Sequence, residues 1–403
     1  MTILHSGVWY PADRAAEHYR YLPVDVPPGA AALTVTLERH GGVLDLGCLD
    51  PDGRFRGWSG GARSTFTISA ADATPGYLPG PLVPGTWQVL LGLHRVPPEG
   101  LPWTVTAETS TVAPPPAGPA ADAAMAGPPM RPPARALPAP PGLTWLAGDL
   151  HAHTVHSDGA LTVAALAHLA AEAGLDFLAV TDHNTVSHHA ELPAAGAAAG
   201  VVLIPGQEVT TDRGHANAFG DVGWVDFRRP ADDWVSTVED RGGLLSVNHP
   251  LGADCAWLHP LVARPPLAEV WHSGWWDRTW GAPLAWLLAW GTDTVPVGGS
   301  DFHTPAGAER LGRPTTWVAC VDRGVPAVLD GLAAGRVAIS ESPHGPVLLR
   351  IDDEFVVLGG EGALLVDAVG RRRLVGADPA RFPAGPGPYW LEDDRTCVLA
   401  LAA

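Results

Sequence analysis

The chain has 403 residues, 46% hydrophobic and 17% charged, a balance that suits a folded globular protein and excludes a disordered one. A formal net charge of −18 disfavours a nucleic acid polymer as ligand, because such binding rests on cationic side chains set against phosphates. No apolar run approaches the roughly 20 residues that cross a bilayer, and the N-terminus shows no leader pattern, so a cytoplasmic protein with no membrane partner is expected.

Residues 1–110 read as an all-β sandwich domain. Apolar side chains alternate in ALTVTLER (Leu33, Val35, Leu37), VLDLGCL, STFTISA and GTWQVLLGLH, and Asp50-Pro51-Asp52-Gly53 marks a turn between two of these runs. Residues 111–142 hold 11 prolines in 32 positions and read as a linker. From 143 to about 340, short apolar runs (WLAGDLH, FLAVTDH, VVLIPGQE, GLLSVNHP, LAEVWHS, VPVGGSDFH, TTWVACV) alternate with helical stretches. LTVAALAHLAAEAG is the clearest helix, with Thr162 as its cap, Val163, Leu166, Leu169 and Ala170 on one face, and Gly174 as its stop. Near-continuous apolar strands between helices argue for a parallel α/β sheet or barrel. Residues 341–403 read as a small β-rich appendage.

Polar residues cluster at the ends of the apolar runs in this middle region, where α/β barrels carry their active sites. His151 and His153 lie two apart, so both side chains leave the same face of an extended strand. Asp301 and His303 repeat that spacing in GGSDFH. His183 follows FLAVTD, with Asp182 placed to orient a ligand imidazole, and Glu208 ends VVLIPGQE, where its two oxygens suit a bridge between ions. His215, His249 and Asp158 complete the group; Asp158 is read as a ligand because Thr162 serves as the helix cap. Six imidazoles and three carboxylates with no thiolate suit Zn²⁺, Mn²⁺ or Fe²⁺. Nine ligands with one shared are enough for three divalent ions, whose net charge of +3 against three carboxylates suits a phosphoryl group. The four cysteines (Cys48, Cys255, Cys320, Cys397) are widely spaced and read as reduced and inert. All 25 basic residues are arginine, which removes lysine chemistry of every kind, including a carbamylated-lysine bridge.

In order along the chain, DLHAHTVHSDG, AVTDHN, GQEVT, NHP and GGSDFH resemble the successive motifs of the PHP (polymerase and histidinol phosphatase) family, and GQEVTTDRGHANAFG is most similar to its carbaryl-hydrolase-like branch. The resemblance implies a distorted (βα)7-type barrel with a trinuclear centre. One ion would lie on His151, His153, Glu208 and Asp301; a second on Glu208, His215 and His249; a third on Asp158, His183 and His303. It implies a phosphoesterase of small molecules that works through a hydroxide bridging two ions. Arg213 and Arg278 are the candidate phosphate clamps, His272 the candidate proton donor, and Trp275 and Trp276 the candidate walls of a leaving-group pocket. Trp286 and Trp290, four apart, are expected in a helix core.

Three other readings stay open. The same ions would serve a carboxyl-ester or carbamate hydrolase. A non-catalytic PHP module is disfavoured by a ligand set with every position filled. A binuclear amidohydrolase barrel also begins with His-x-His, but its usual bridging lysine does not exist here.

Overall fold

The computed structural model describes residues 1–115, 127–291 and 293–402. They form two compact units: one from the N-terminal strands together with residues 155–158 and 182–190, the other from the remainder.

The N-terminal unit contains eight strands, Thr2–Trp9 (β1), Tyr19–Val26 (β2), Ala32–Arg39 (β3), Val43–Leu49 (β4), Phe55–Gly60 (β5), Thr65–Ser69 (β6), Gly85–Arg95 (β7) and Leu101–Ser110 (β8). They pair as two antiparallel four-stranded sheets, β1-β8-β3-β6 and β2-β7-β4-β5. Period-two alternation turns Leu33, Val35 and Leu37 of one sheet and Leu44, Leu46 and Val89 of the other into a single buried core. The expected turn forms: Asp50 accepts hydrogen bonds from the Asp52 and Arg54 amides, and Gly53 takes φ +76°.

Two segments remote in sequence belong to this unit. Arg63 donates to the carbonyls of Val155 and Ser157, Thr185 donates to Gly76 O at 2.9 Å, and the Gly76 amide donates to Ser187 Oγ at 3.0 Å. Gly76 has φ +98°, and a Cβ there would stand 2.8 Å from His156 O, so the approach requires glycine.

The second unit is built on Thr144–Asp149 (β9), Phe177–Val180 (β10), Val202–Thr211 (β11), Gly214–Phe219 (β12), Leu244–Val247 (β13), Leu267–His272 (β14), Val295–Gly299 (β15), Thr315–Cys320 (β16) and Val337–Ser340 (β17). These run in the order β15-β14-β13-β12-β11-β10-β9-β16-β17 within one 13-stranded sheet. Leu146, Phe177, Ile204, Phe219, Leu267 and Val297, from strands spread along that order, share one core, so the sheet curls around it. The helix Val163–Glu172 is capped by Thr162, whose Oγ1 accepts from the Ala165 amide, and it buries Val163, Leu166 and Ala170.

The expected (βα)7 repeat is kept only in part. Pairing is parallel along β9-β10-β11 and along β13-β14-β15, but β12 runs antiparallel to both of its neighbours. Between β11 and β12 lie only Asp212 and Arg213, too few residues for a helix, so this connection is a hairpin. The C-terminal region is β-rich, and its last strand, Val398–Ala402, pairs with β17 and so extends the main sheet. Of the 111–142 linker, residues 116–126 lie outside the described residues. Residues 127–142 contain no helix or strand, and Arg131 ties them to Asp176. Among the described residues, no helix is long and apolar enough to cross a membrane.

Candidate metal centre

In the second unit the strand ends deliver their polar side chains to one place. His151 and His153, both fully buried, follow β9 with ring centroids 5.1 Å apart. Glu208, on β11, is also buried, and its Oε1 lies 3.0 Å from His215 Nδ1, 3.3 Å from His249 Nε2 and 3.3 Å from His151 Nε2. Its Oε2 lies 3.7 Å from His153 Nε2. Asp301 stands opposite: Oδ1 is 2.9 Å from His153 Nε2 and 3.2 Å from His151 Nε2, and Oδ2 is 3.2 Å from His272 Nε2. His303 stacks on His153 at 4.2 Å, with its Nδ1 2.8 Å from Asp301 O.

The backbone is bent to make these meetings possible. His249 (φ +25°) and Asp301 (φ +53°) sit in the left-handed region, where non-glycine residues are uncommon and functional sites are over-represented. Gly299 is equally constrained, because a Cβ there would stand 2.2 Å from Glu269 Oε1 and 2.5 Å from His151 Cβ.

Three participants escaped the sequence reading. Glu269, in the apolar run of β14, lies 3.0 Å from His151 Nδ1 through Oε1 and accepts from the His249 amide through Oε2. Asn248 Nδ2 donates to Glu208 Oε1 at 2.9 Å. Asp149, fully buried, accepts from the amides of His151, Ser300 and Gly312. Burial pushes the Asp149 carboxyl up to about 6 against those hydrogen bonds. For Asp149 and Glu269 the available signal was a carboxylate written inside an otherwise apolar strand, since such a group is rarely buried without partners.

The electrostatics of the cluster follow from burial among carboxylates. Burial alone would lower the His151 imidazole, but Asp301, Glu269 and Glu208 together hold it well above its ordinary value. His249 is raised in the same way, against burial, by Cys255, Glu208 and Glu269. Asp301, despite burial, is held well below the usual carboxylate range by His151, His153 and His272, and Glu269 is lowered by His151 and His272.

Residues 149–248 match the PHP domain. That match takes in about a quarter of the chain. A stretch of the chain is similar to 5'-3' exoribonuclease Rnm of Escherichia coli, 46% identical over 67 residues that make up 16% of this chain and 22% of that protein. A 5'-3' exoribonuclease of Haemophilus influenzae is 39% identical over 64 residues, 16% of this chain and 23% of that one. The chain thus spans less than a quarter of the curated relatives it matches. Among solved structures, a two-domain protein of Bacteroides vulgatus containing a predicted PHP-like metal-dependent phosphoesterase aligns over 68% of this chain and 99% of its own, at 17% identity and a TM-score of 0.43. An amidohydrolase from Chromobacterium violaceum with bound sulfate aligns over 40% and 88%, at 18% identity and a TM-score of 0.30.

The donor set of this site fits divalent cations. His151, His153 and Asp301 form one group, and His151, His249, Glu269 and His272 another, with the ligand atoms of each group within 4.8 Å of one another. Buried His151 Nε2 forms no hydrogen bond, although carboxylate oxygens of Glu208 and Asp301 stand 3.3 and 3.2 Å away. With Nδ1 beside Glu269, Nε2 faces two carboxylates, an arrangement that suits a positive charge between them, a proton or a metal cation.

His272 has a tautomer fixed by the backbone. Its Nδ1 accepts from the Gly274 amide at 2.9 Å, so the neutral ring carries its proton on Nε2, the atom that faces Asp301. In the N-terminal unit, Asp158 Oδ1 lies 3.6 Å from His183 Nε2. Asp182, expected to orient a ligand imidazole, accepts from Ser157 Oγ at 2.6 Å and lies 3.2 Å from His188 Nδ1.

The remaining candidates divide. Arg213 sits exposed at the tip of the β11–β12 hairpin and donates to Leu258 O. Arg278 donates to Glu341 Oε2 at 2.7 Å and to Val398 O at 2.8 Å, so a carboxylate more than 60 residues away in sequence draws it from the expected phosphate clamp. Trp275 is buried and lines a cavity of about 230 Å³ whose floor includes His249, Glu269 and His272. Trp276 is 86% exposed and outside that wall; Trp280 and Trp286 line it instead.

Proposed function

We propose that this protein is a metal-dependent hydrolase that cleaves a phosphoester of a small molecule. The observation that carries the reading is the buried convergence of His151, His153, His249, Glu208 and Asp301, with His151 Nε2 facing two carboxylates. Divalent ions bound there would supply an activated water and neutralise charge on the phosphoryl group. We assign His151, His153, Glu208 and Asp301 to one ion and Glu208, His215 and His249 to a second. A third ion, on Asp158, His183 and His303, rests on the order of the sequence motifs. Within the chain itself, Glu269 holds the His151 ring in one orientation, and His272, with a proton on Nε2, would donate a hydrogen bond to the departing oxygen, whose proton comes from the attacking water. A carboxyl-ester or carbamate substrate is the second reading, favoured by the engagement of Arg213 and Arg278 with partners of their own.

The test is metal analysis of protein purified without chelator, followed by a panel of phosphomonoesters, a phosphodiester, short RNA, and aryl carboxyl and carbamate esters. More than one divalent ion per chain, with turnover best on small phosphoesters and lost in E208Q and D301N, is expected. A metal-free protein, or turnover of carbon esters or RNA alone, overturns the proposal.

A further inference from the structure

A second cavity, of about 380 Å³, lies where residues 131–135 of the proline-rich segment cross the body of the second unit. All of its lining belongs to that unit. It is remote from the metal centre: Thr144, at the start of β9, lines it, whereas His151 follows the end of that strand. The strand's six residues put roughly 20 Å of extended chain between the two. The charged side chains of the lining are Arg131, Arg135 and Arg323 against Asp176 and Asp322, with the imidazole of His344 beside them. One positive charge is thus in surplus, in a chain whose formal net charge is −18.

The fold does not absorb that surplus. Arg131 and Arg323 donate to the same oxygen of Asp176, Oδ1, and Asp176 Oδ2 is already taken by the Ala147 amide at 2.9 Å. Two guanidiniums therefore share one carboxylate, and burial, then the neighbouring Arg131, lowers the Arg323 guanidinium below its ordinary value. Arg323 is half exposed, and its Nε and Nη1 have no partner among the described residues. Arg135 lies over the Trp317 ring at 5.8 Å and donates to the carbonyls of Pro343 and Gly345, which carry no charge to balance its own. Gathering guanidiniums this way is unfavourable unless an anion joins them.

We infer that this cavity binds the phosphate group of a small molecule, with Arg323 as its direct donor and Arg131 and Arg135 supplying charge. A phosphate group brings three strong acceptor oxygens and about two negative charges to guanidiniums that now share one carboxylate. Arginine is also the cation best matched to it. Pro132, Pro133, Trp145 and Leu146 make the rest of the wall apolar, which leaves room for a short carbon skeleton beside the phosphate. The site is independent of the hydrolase reading above.

The test is calorimetry with inorganic phosphate, methylphosphonate and acetate on the metal-loaded, full-length protein. Phosphate also has a place at the metal centre, so the titrations are run on wild type and on D301N, each with and without R323Q or R323K. Phosphate is expected to bind D301N; R323Q should weaken that binding about tenfold, and R323K should hold it within about threefold. Acetate should bind at least about tenfold more weakly than phosphate. Phosphate should also slow amide exchange in residues 127–142, and ester hydrolysis should be the same in R323Q as in wild type. Methylphosphonate bound as tightly as phosphate marks an organic phosphate as the occupant, and phosphate alone marks the free ion; both uphold the site. No binding to D301N, binding that R323Q leaves unchanged, or acetate bound as tightly as phosphate overturns it. Binding that follows Arg323, in a protein that hydrolyses no ester, upholds the site and overturns the hydrolase.

Discussion

Replacing Glu269 with glutamine isolates the contribution of a carboxylate that contacts two histidines of the centre, His151 and His249. Two N–H groups depend on this carboxylate, His151 Nδ1–H on Oε1 and the His249 amide on Oε2. A glutamine offers one oxygen and one NH₂, so one of the two donors must lose its acceptor and face another donor. Removing an outer partner of a ligating histidine weakens metal binding by roughly 10–100-fold, or roughly 1.4–2.7 kcal/mol. A hydrogen bond to a charged group contributes about 1.5–3 kcal/mol, which covers the same range. The assay is a chelator competition with Zn²⁺ on the wild type and E269Q, with circular dichroism to show that the fold is kept. The expected result is weaker binding at unchanged stoichiometry. Affinity within twofold of wild type would refute the reasoning, and loss of one ion per chain would make Glu269 a ligand instead.

Acid should release the metals, because the raised His151 and His249 imidazoles hold protons where cations would sit. Binding should therefore expel protons and weaken as pH falls, measured by calorimetry in buffers of different ionisation enthalpy; a buffer-independent heat contradicts this. His259 gives a separate acid response. Burial, then Arg213, lowers its ring to about 4 from an ordinary 6.5, so the folded state binds fewer protons than the unfolded one, and stability present above pH 6.5 is lost as pH falls toward 4. The shift corresponds to about 3 kcal/mol, cut to about 1–2 kcal/mol by solvent around a half-buried ring. H259F should flatten the melting temperature between pH 6.5 and 4, and an unchanged profile argues against this assignment. R63A removes two hydrogen bonds to the carbonyls of Val155 and Ser157, beside Asp158. Fewer bound ions per chain and faster proteolysis near residue 156 are expected; wild-type values for both would exclude the clamp.

Much of the polar cluster was legible from where its residues stand, at the ends of the apolar runs. His151 and His153, two apart just past β9, both reach it, whereas Asp301 arrives through a left-handed bend past β15 that no two-residue period records. The sandwich was legible from its period of two, since Leu33, Val35 and Leu37 alternate with threonines. Other features were hidden because they depend on chain crossings that no local pattern records. Glu269 meets His151 across 118 residues, and Arg278 meets Glu341 across 63. The β11–β12 hairpin was missed because its flanking apolar runs look like those of a strand–helix unit. Trp275 and Trp276 are neighbours in sequence, and only the turn of the chain after His272 decides which one faces the cavity.

The grip of Arg63 and Gly76 on residues 155–158 and 182–190 bears on how the gene could be divided. The proline-rich stretch invites a cut that would release residues 143–403 as a free-standing enzyme. Such a fragment would keep Glu208, His249 and Asp301 but would leave the loops carrying Asp158 and His183 without the partners that hold them. The sandwich is on this account a brace for the loops that carry Asp158 and His183, and trimming it would remove something other than an ornament.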